Sequence, residues 1–150
     1  MVVFWICAMS QQSIPEGLTS TALIAPCGMN CGLCRAFLRT RNGCPSCRGD
    51  DRGKPKTRVT CRIKNCEARR RDNDDFCGKC QSFPCGQLSR LDKRYRTKYG
   101  MRMIDNLKSI ETEGLQRFLE KEKVKWTCPG CGQSLCVHEP YCLACKRKWR

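Results

Sequence analysis

Trp126-Thr127-Cys128-Pro129-Gly130-Cys131-Gly132-Gln133-Ser134-Leu135-Cys136-Val137-His138-Glu139-Pro140-Tyr141-Cys142-Leu143-Ala144-Cys145 is the stretch on which the fold reading turns. Two residues between cysteines let one tight turn present both sulfurs to one ion. Cys128/Cys131 and Cys142/Cys145 have that spacing, and Pro129 and Gly130 are turn residues. Together they predict a closed tetrahedral four-thiolate site, a zinc ribbon built on a hairpin. Such a site is structural, because no position stays open for water or substrate. Cys136 and His138 lie between the knuckles. They read either as a packed thiol and a polar loop histidine, or as extra ligands through a ligand swap or a second metal. His138 is the only histidine, so histidine-based acid–base catalysis has one candidate and no visible partner.

The same spacing recurs upstream at Cys31/Cys34, Cys44/Cys47 and Cys77/Cys80. Cys27, Cys61, Cys66 and Cys85 complete a central set of ten, enough for two four-thiolate sites with two thiols to spare. The simplest local grouping is Cys44, Cys47, Cys61 and Cys66. The second site then takes Cys77 and Cys80 with two of Cys27, Cys31, Cys34 and Cys85. A cross-braced arrangement is the alternative. Thiolates also serve iron clusters, so a [4Fe–4S] centre in the central cysteines stands beside two or three zinc ions. A disulfide framework belongs to secreted chains. The apolar start, Met1 to Met9, has no preceding Lys or Arg and does not read as a secretory signal. Met9 is an alternative start. The expectation is a cytoplasmic protein with reduced, metal-binding cysteines and no membrane span.

Composition supports a metal-held fold. Leu, Ile, Val and Phe number only 27 of 150 residues, and the formal net charge is +15. That combination usually marks disorder. Sixteen cysteines change the reading. One structural zinc contributes roughly 10–16 kcal/mol of apparent folding free energy, which offsets a thin core. Each four-thiolate zinc site carries about −2, so three sites would lower the effective charge to about +9. A large enzyme barrel, a dinucleotide-binding sheet and a transmembrane protein are excluded.

The chain therefore predicts a small α+β fold, with short helices around four-cysteine zinc sites and a C-terminal zinc-ribbon hairpin. Residues 1–24 read as a flexible tail, 25–100 as a cysteine-rich metal-binding domain, 101–125 as a helical connector and 126–150 as the ribbon. The stretch Cys27–Leu38 is expected to open a helix running to about Thr40, with further helices from Cys61 to Arg71 and from Cys85 to about Lys98. Two more are expected around Met103–Ile110, stopping near Gly114, and from Leu115 to Lys125. Leu88, Leu91 and Tyr95 recur at helical spacing, as do Met103, Leu107 and Ile110.

Cys27-Gly28-x2-Cys31-x2-Cys34 is followed by Cys44-x2-Cys47-Arg48 and Cys61-x4-Cys66. Phe76-Cys77-x2-Cys80-x2-Phe83-Pro84-Cys85-x2-Leu88 completes the series. From about Ala25 to Leu91 this series resembles an uncharacterised prokaryotic family, domain-of-unknown-function family 3795. The remainder resembles longer members that end in a ribbon. The resemblance implies a cysteine-rich, metal-binding protein of the cytosol, with no established activity.

Three functional classes follow. The first is a zinc-stabilised interaction module, with RNA or DNA favoured over an acidic protein surface. Residues 27–60 carry +6 and residues 61–125 carry +7. Arg90, Lys93, Arg94, Arg96 and Lys98 surround Tyr95 and Tyr99, a pattern able to contact phosphates and stack bases. A solvated helix face with Tyr95 in the core is the plainer reading of the same residues. The second class is an iron–sulfur, thiol-redox or metal-handling protein. An enzyme is the third and is not favoured. Paired catalytic carboxylates, a phosphate-binding glycine loop and a nucleophile elbow are all missing.

Overall fold

The computed structural model describes residues 20–150. Most of the expected N-terminal tail, and the choice between Met1 and Met9, lie outside the described residues. Among those described the protein is rich in helix. Single-turn or slightly longer helices are α1 (Arg35–Leu38), α2 (Lys56–Val59) and α3 (Glu67–Arg71). Longer ones are α4 (Gly86–Tyr99), α5 (Met103–Glu113) and α6 (Leu115–Lys125). Single 3-10 turns sit at Thr21–Leu23, Cys31–Leu33 and Cys77–Lys79.

The expected α+β fold is met in its helices, and extended structure is sparse. Extended pairing among the described residues consists of isolated antiparallel bridges, Ile24 with Asn30, Thr127 with Ser134 and Tyr141 with Lys148. Each bridge closes a tight turn, and no ladder grows from it. The first expected helix is corrected. Gly28 has φ +84 and Cys34 is extended at φ −81, ψ 131, so α1 starts only at Arg35. Asn30 caps the preceding 3-10 turn, its side-chain oxygen accepting the Gly32 amide at 3.0 Å. The Cys61–Arg71 helix shortens to α3, and α2 forms inside the expected loop.

The three long helices follow their apolar spacing. Leu88, Asp92 and Tyr95 are the buried positions of α4, which ends on Gly100 in the left-handed conformation, φ +69. Arg102 provides no side-chain cap for α5. Buried Asp92 supplies one across the helix pair, accepting the Ile104 amide at 3.1 Å. A small cluster of Ile24, Ile110, Phe118 and Leu119 holds α5 and α6 together.

The larger core joins the two ends of the described chain to the end of α4 and the start of α5. Ala25, Met29 and Leu33 meet Tyr95, Met101 and Met103, together with Trp126, Leu135 and Val137. Fully burying one such side chain is worth about 1.5–3 kcal/mol. Segments expected to form separate cysteine-rich, connecting and ribbon units thus share this core. Among the described residues no helix is long and apolar enough to cross a membrane.

Candidate metal centre

The C-terminal cysteines sit on two turns with the same hydrogen-bond pattern. In the first, the Cys128 amide donates to Gln133 O at 2.8 Å and the Gly132 amide donates to Cys128 O at 2.8 Å. In the second, the Cys142 amide donates to Arg147 O at 2.8 Å and the Lys146 amide to Cys142 O at 3.0 Å. The residue after each second cysteine is left-handed, with φ +74 at Gly132 and φ +62 at Lys146. That reversal turns the later sulfur back toward the earlier one. Spacing revealed the knuckles; the left-handed lysine had no sequence signal.

The two turns face each other and bring four sulfurs together. Cys128 Sγ lies 3.6 Å from Cys145 Sγ, and Cys131 Sγ lies 3.6 Å from Cys142 Sγ. All four ligand atoms fall within 4.8 Å of one another. A tetrahedral ion with metal–sulfur bonds near 2.3 Å would separate its sulfurs by about 3.8 Å, so the residues fit such an ion. Cys128 and Cys142 are buried, while Cys131 is half-buried and Cys145 exposed, so one side of the site opens to solvent.

The turns also bias the thiols. The Gly130 amide, donating to Cys128 Sγ at 3.4 Å, is the main influence bringing Cys128 down to about 7. The Cys131 amide and the Cys145 and Cys142 sulfurs add to it. Cys131 moves the other way. The Gln133 amide favours its thiolate, yet burial and the other three sulfurs push it up to about 11. Four thiols therefore do not ionise together unaided, and a divalent ion would supply the missing positive charge.

Cys136 and His138 are not part of this group. Cys136 is fully buried beside Val137. Both ring nitrogens of His138 are engaged: Nδ1 accepts the Arg35 amide at 3.3 Å, and Nε2 lies 3.1 Å from Tyr95 Oη. With both nitrogens committed, His138 has none to offer a metal. These contacts are those of a packed thiol and a polar loop histidine.

The ten central cysteines are brought together in part by loop packing. Cys44 and Cys47 fold back onto the turn that carries Cys31, with the Cys44 amide donating to Ala36 O at 2.7 Å. The Cys47 amide donates to Cys31 Sγ at 3.4 Å. Cys31, Cys34, Cys44 and Cys47 line one small cavity of about 60 Å³. Cys27 and Cys61 line a neighbouring groove with Cys47. Cys66, Cys80 and Cys85 are the thiol neighbours that act on Cys77. The Cys44–Cys47 loop thus packs on the Cys27–Cys34 turn. Among the described residues no three of these ten share the tight spacing of the C-terminal four.

Their charges are uneven. The hydrogen bond from Cys31 chiefly lowers Cys47 to about 6, and Lys54, Arg58 and Lys64 add to it. The same bond, with burial, raises Cys31. Within this pair the thiolate is favoured on Cys47 by its basic neighbours. Burial pushes Cys27 up to about 12 and Cys77 up to about 11.

The basic helix is divided by the fold. Tyr95 is buried, and Tyr99 packs edge-on against the His138 ring with centroids 4.8 Å apart. Tyr95 is closed to a base, and Tyr99 is half-buried. Lys93, Arg96 and Lys98 are exposed, whereas Arg90 and Arg94 also line the groove beside Cys27 and Cys61.

Residues 23–90 match the model of a family described as a protein of unknown function (DUF3795). No curated protein and no solved structure matches the chain.

Proposed function

The family match brings no activity with it, so we propose a function from the residues themselves: a zinc-stabilised interaction module whose partner is nucleic acid. In this reading Cys128, Cys131, Cys142 and Cys145 hold a structural zinc in a ribbon-like pair of knuckles. The observation that carries it is the gathering of four sulfurs at a spacing suited to one tetrahedral ion. Zinc takes no part in redox chemistry, and a site with four protein ligands offers no open position for catalysis. The ion would tie two chain turns together. The basic surface, with a formal charge of +15 before thiolates are counted, supports an anionic partner. The density of reduced thiols supports a cytoplasmic setting.

A second reading concerns the central cysteines. Two knuckles, Cys31/Cys34 and Cys44/Cys47, line one cavity without closing to single-ion spacing. Thiolates serve iron clusters as well as zinc, so a [4Fe–4S] centre there is the alternative to further zinc. Metal analysis and an ultraviolet–visible spectrum of protein purified without oxygen test both readings. Zinc with no band near 400 nm supports the structural module. Iron with a visible band that bleaches on reduction replaces zinc in the central site. No bound metal in either place overturns the proposal.

A further inference from the structure

A groove of about 580 Å³ runs between two banks of the protein. Arg58 and Arg62 stand on one bank, and Arg90 and Arg94 of α4 stand on the other. The sequence separates these pairs by about thirty residues, and only the fold brings them to one concavity. All four are exposed, and no acidic residue lines the groove. Among the described residues none of the four guanidinium groups has an ion-pair or hydrogen-bond partner. Elsewhere cations do find partners: Arg35 with Glu139 at 2.8 Å, Arg52 with Asp50 at 2.5 Å and Arg117 with Glu120 at 3.0 Å. Four unpaired like charges around one cleft repel each other in the free protein and focus a positive potential into it. The floor is different in character. Half-buried Ile63 and Leu91 supply apolar surface there beside Cys27, Cys47 and Cys61, and Arg94 lies over the Tyr95 ring at 5.9 Å.

We infer that this groove is a nucleotide-binding cleft for single-stranded nucleic acid. Arginine suits phosphate oxygens because its planar fork can donate two hydrogen bonds at once. An apolar floor beneath cationic banks suits an unstacked base between two phosphates. The volume lies in the range of small-ligand sites, which is the scale of a nucleotide and not of a duplex. Tyr99, the aromatic that the sequence offered for stacking, does not line this groove; Leu91 and Ile63 supply its apolar contact surface. This inference rests on the nucleic-acid reading above and gives it a location.

The test uses the full metal-loaded chain and fluorescein-labelled single-stranded RNA of twelve nucleotides, with anisotropy as the readout. Arg62→Gln with Arg90→Gln removes one charge from each bank without breaking a contact. Lys93→Gln with Arg96→Gln removes the same charge from α4 outside the groove. Each phosphate contact on a single strand contributes about −0.7 to the slope of log affinity against log salt. The groove pair should lose at least about tenfold in affinity and flatten that slope by about 1.4, with the outer pair changing much less. A duplex of the same sequence should bind more weakly than the single strand. Equal losses in the two variants would mean diffuse attraction and would overturn the groove while leaving nucleic-acid binding intact. No RNA or DNA binding by the wild type at 50 mM salt would overturn both. Polyglutamate binding that depends on Arg62 and Arg90, without nucleic-acid binding, would also overturn both and make the partner an acidic protein.

Discussion

Tyr95 Oη and His138 Nε2 lie 3.1 Å apart, and this contact latches the C-terminal cysteine segment to α4. Around it, the Val137 amide donates to Leu33 O at 2.9 Å, and Arg35 pairs with Glu139 at 2.8 Å. The Arg35 amide fixes the histidine from its other side. Because Nδ1 accepts from that amide, the neutral ring carries its proton on Nε2 and donates to Tyr95. The lone histidine is a structural strut.

His138→Ala should therefore lower stability by about 1–3 kcal/mol while the metal content stays unchanged. Tyr95→Phe should cost about 1 kcal/mol. Thermal melts with parallel metal analysis check both. Loss of a metal equivalent in His138→Ala would show that the imidazole is a ligand after all.

His138 also sets a pH dependence. Burial lowers it below its ordinary 6.5; Arg58, Arg150 and Arg35 push the same way, and Glu139 opposes them. The folded state thus binds the proton less readily than the unfolded state. The stabilising contribution is full above pH 6.5 and is lost as pH falls through the lowered folded value. The wild type should lose stability on acidification through that window. His138→Asn should lack that component of the loss.

Cys128→Ser and Cys142→Ser should each abolish one bound metal, whereas Cys136→Ala should retain it. Cys136 is equally buried and lies in the same segment, but its sulfur is outside the cluster. The readout is metal per chain, with tryptophan fluorescence as a second signal. Trp126 and Trp149 pack edge-to-face with centroids 5.4 Å apart, next to the first knuckle and near the second.

Gly28→Ala should destabilise the protein far more than Gly100→Ala. Both glycines have positive φ, +84 and +69. A Cβ at Gly28 would meet Met103 O at 2.8 Å and Leu107 Cγ at 2.9 Å, while Gly100 faces open space. The backbone cost is about 1–2 kcal/mol at either site, and overpacking adds about 1–3 kcal/mol at Gly28. Denaturant midpoints measure the difference. Equal losses would rule out the close approach between the Cys27–Cys31 turn and α5.

Glu122→Gln should stabilise the protein at neutral pH and have little effect near pH 4. Glu122 is 3% exposed, and its Oε1 accepts the Trp126 indole N–H at 3.2 Å. Burial raises its carboxyl above the ordinary 4.5, outweighing nearby Lys125. The folded state holds the proton more tightly than the unfolded one, so stability falls as pH rises through that interval. Glutamine keeps an acceptor for the indole and removes the buried charge. Thermal midpoints at the two pH values decide it.

The sequence alone determined what depends on neighbours a few residues away. Two cysteines separated by two residues share one turn, so the C-terminal knuckles were readable without a structure. The stripes of α4, α5 and α6 were equally readable, because helical spacing is a local periodicity. Tertiary structure decided what depends on loop closure between distant segments. It placed Cys47 against Cys31, since the Cys44–Cys47 loop packs on an earlier turn. It spent both nitrogens of His138, and it buried Glu122, which reads in sequence as one charge on a lysine-rich helix face. It also set Arg58 and Arg62 opposite Arg90 and Arg94. Spacing in a sequence fixes which side chains share a turn or a helix face. Which turns then face one another is settled by packing, whose contact partners no local pattern encodes.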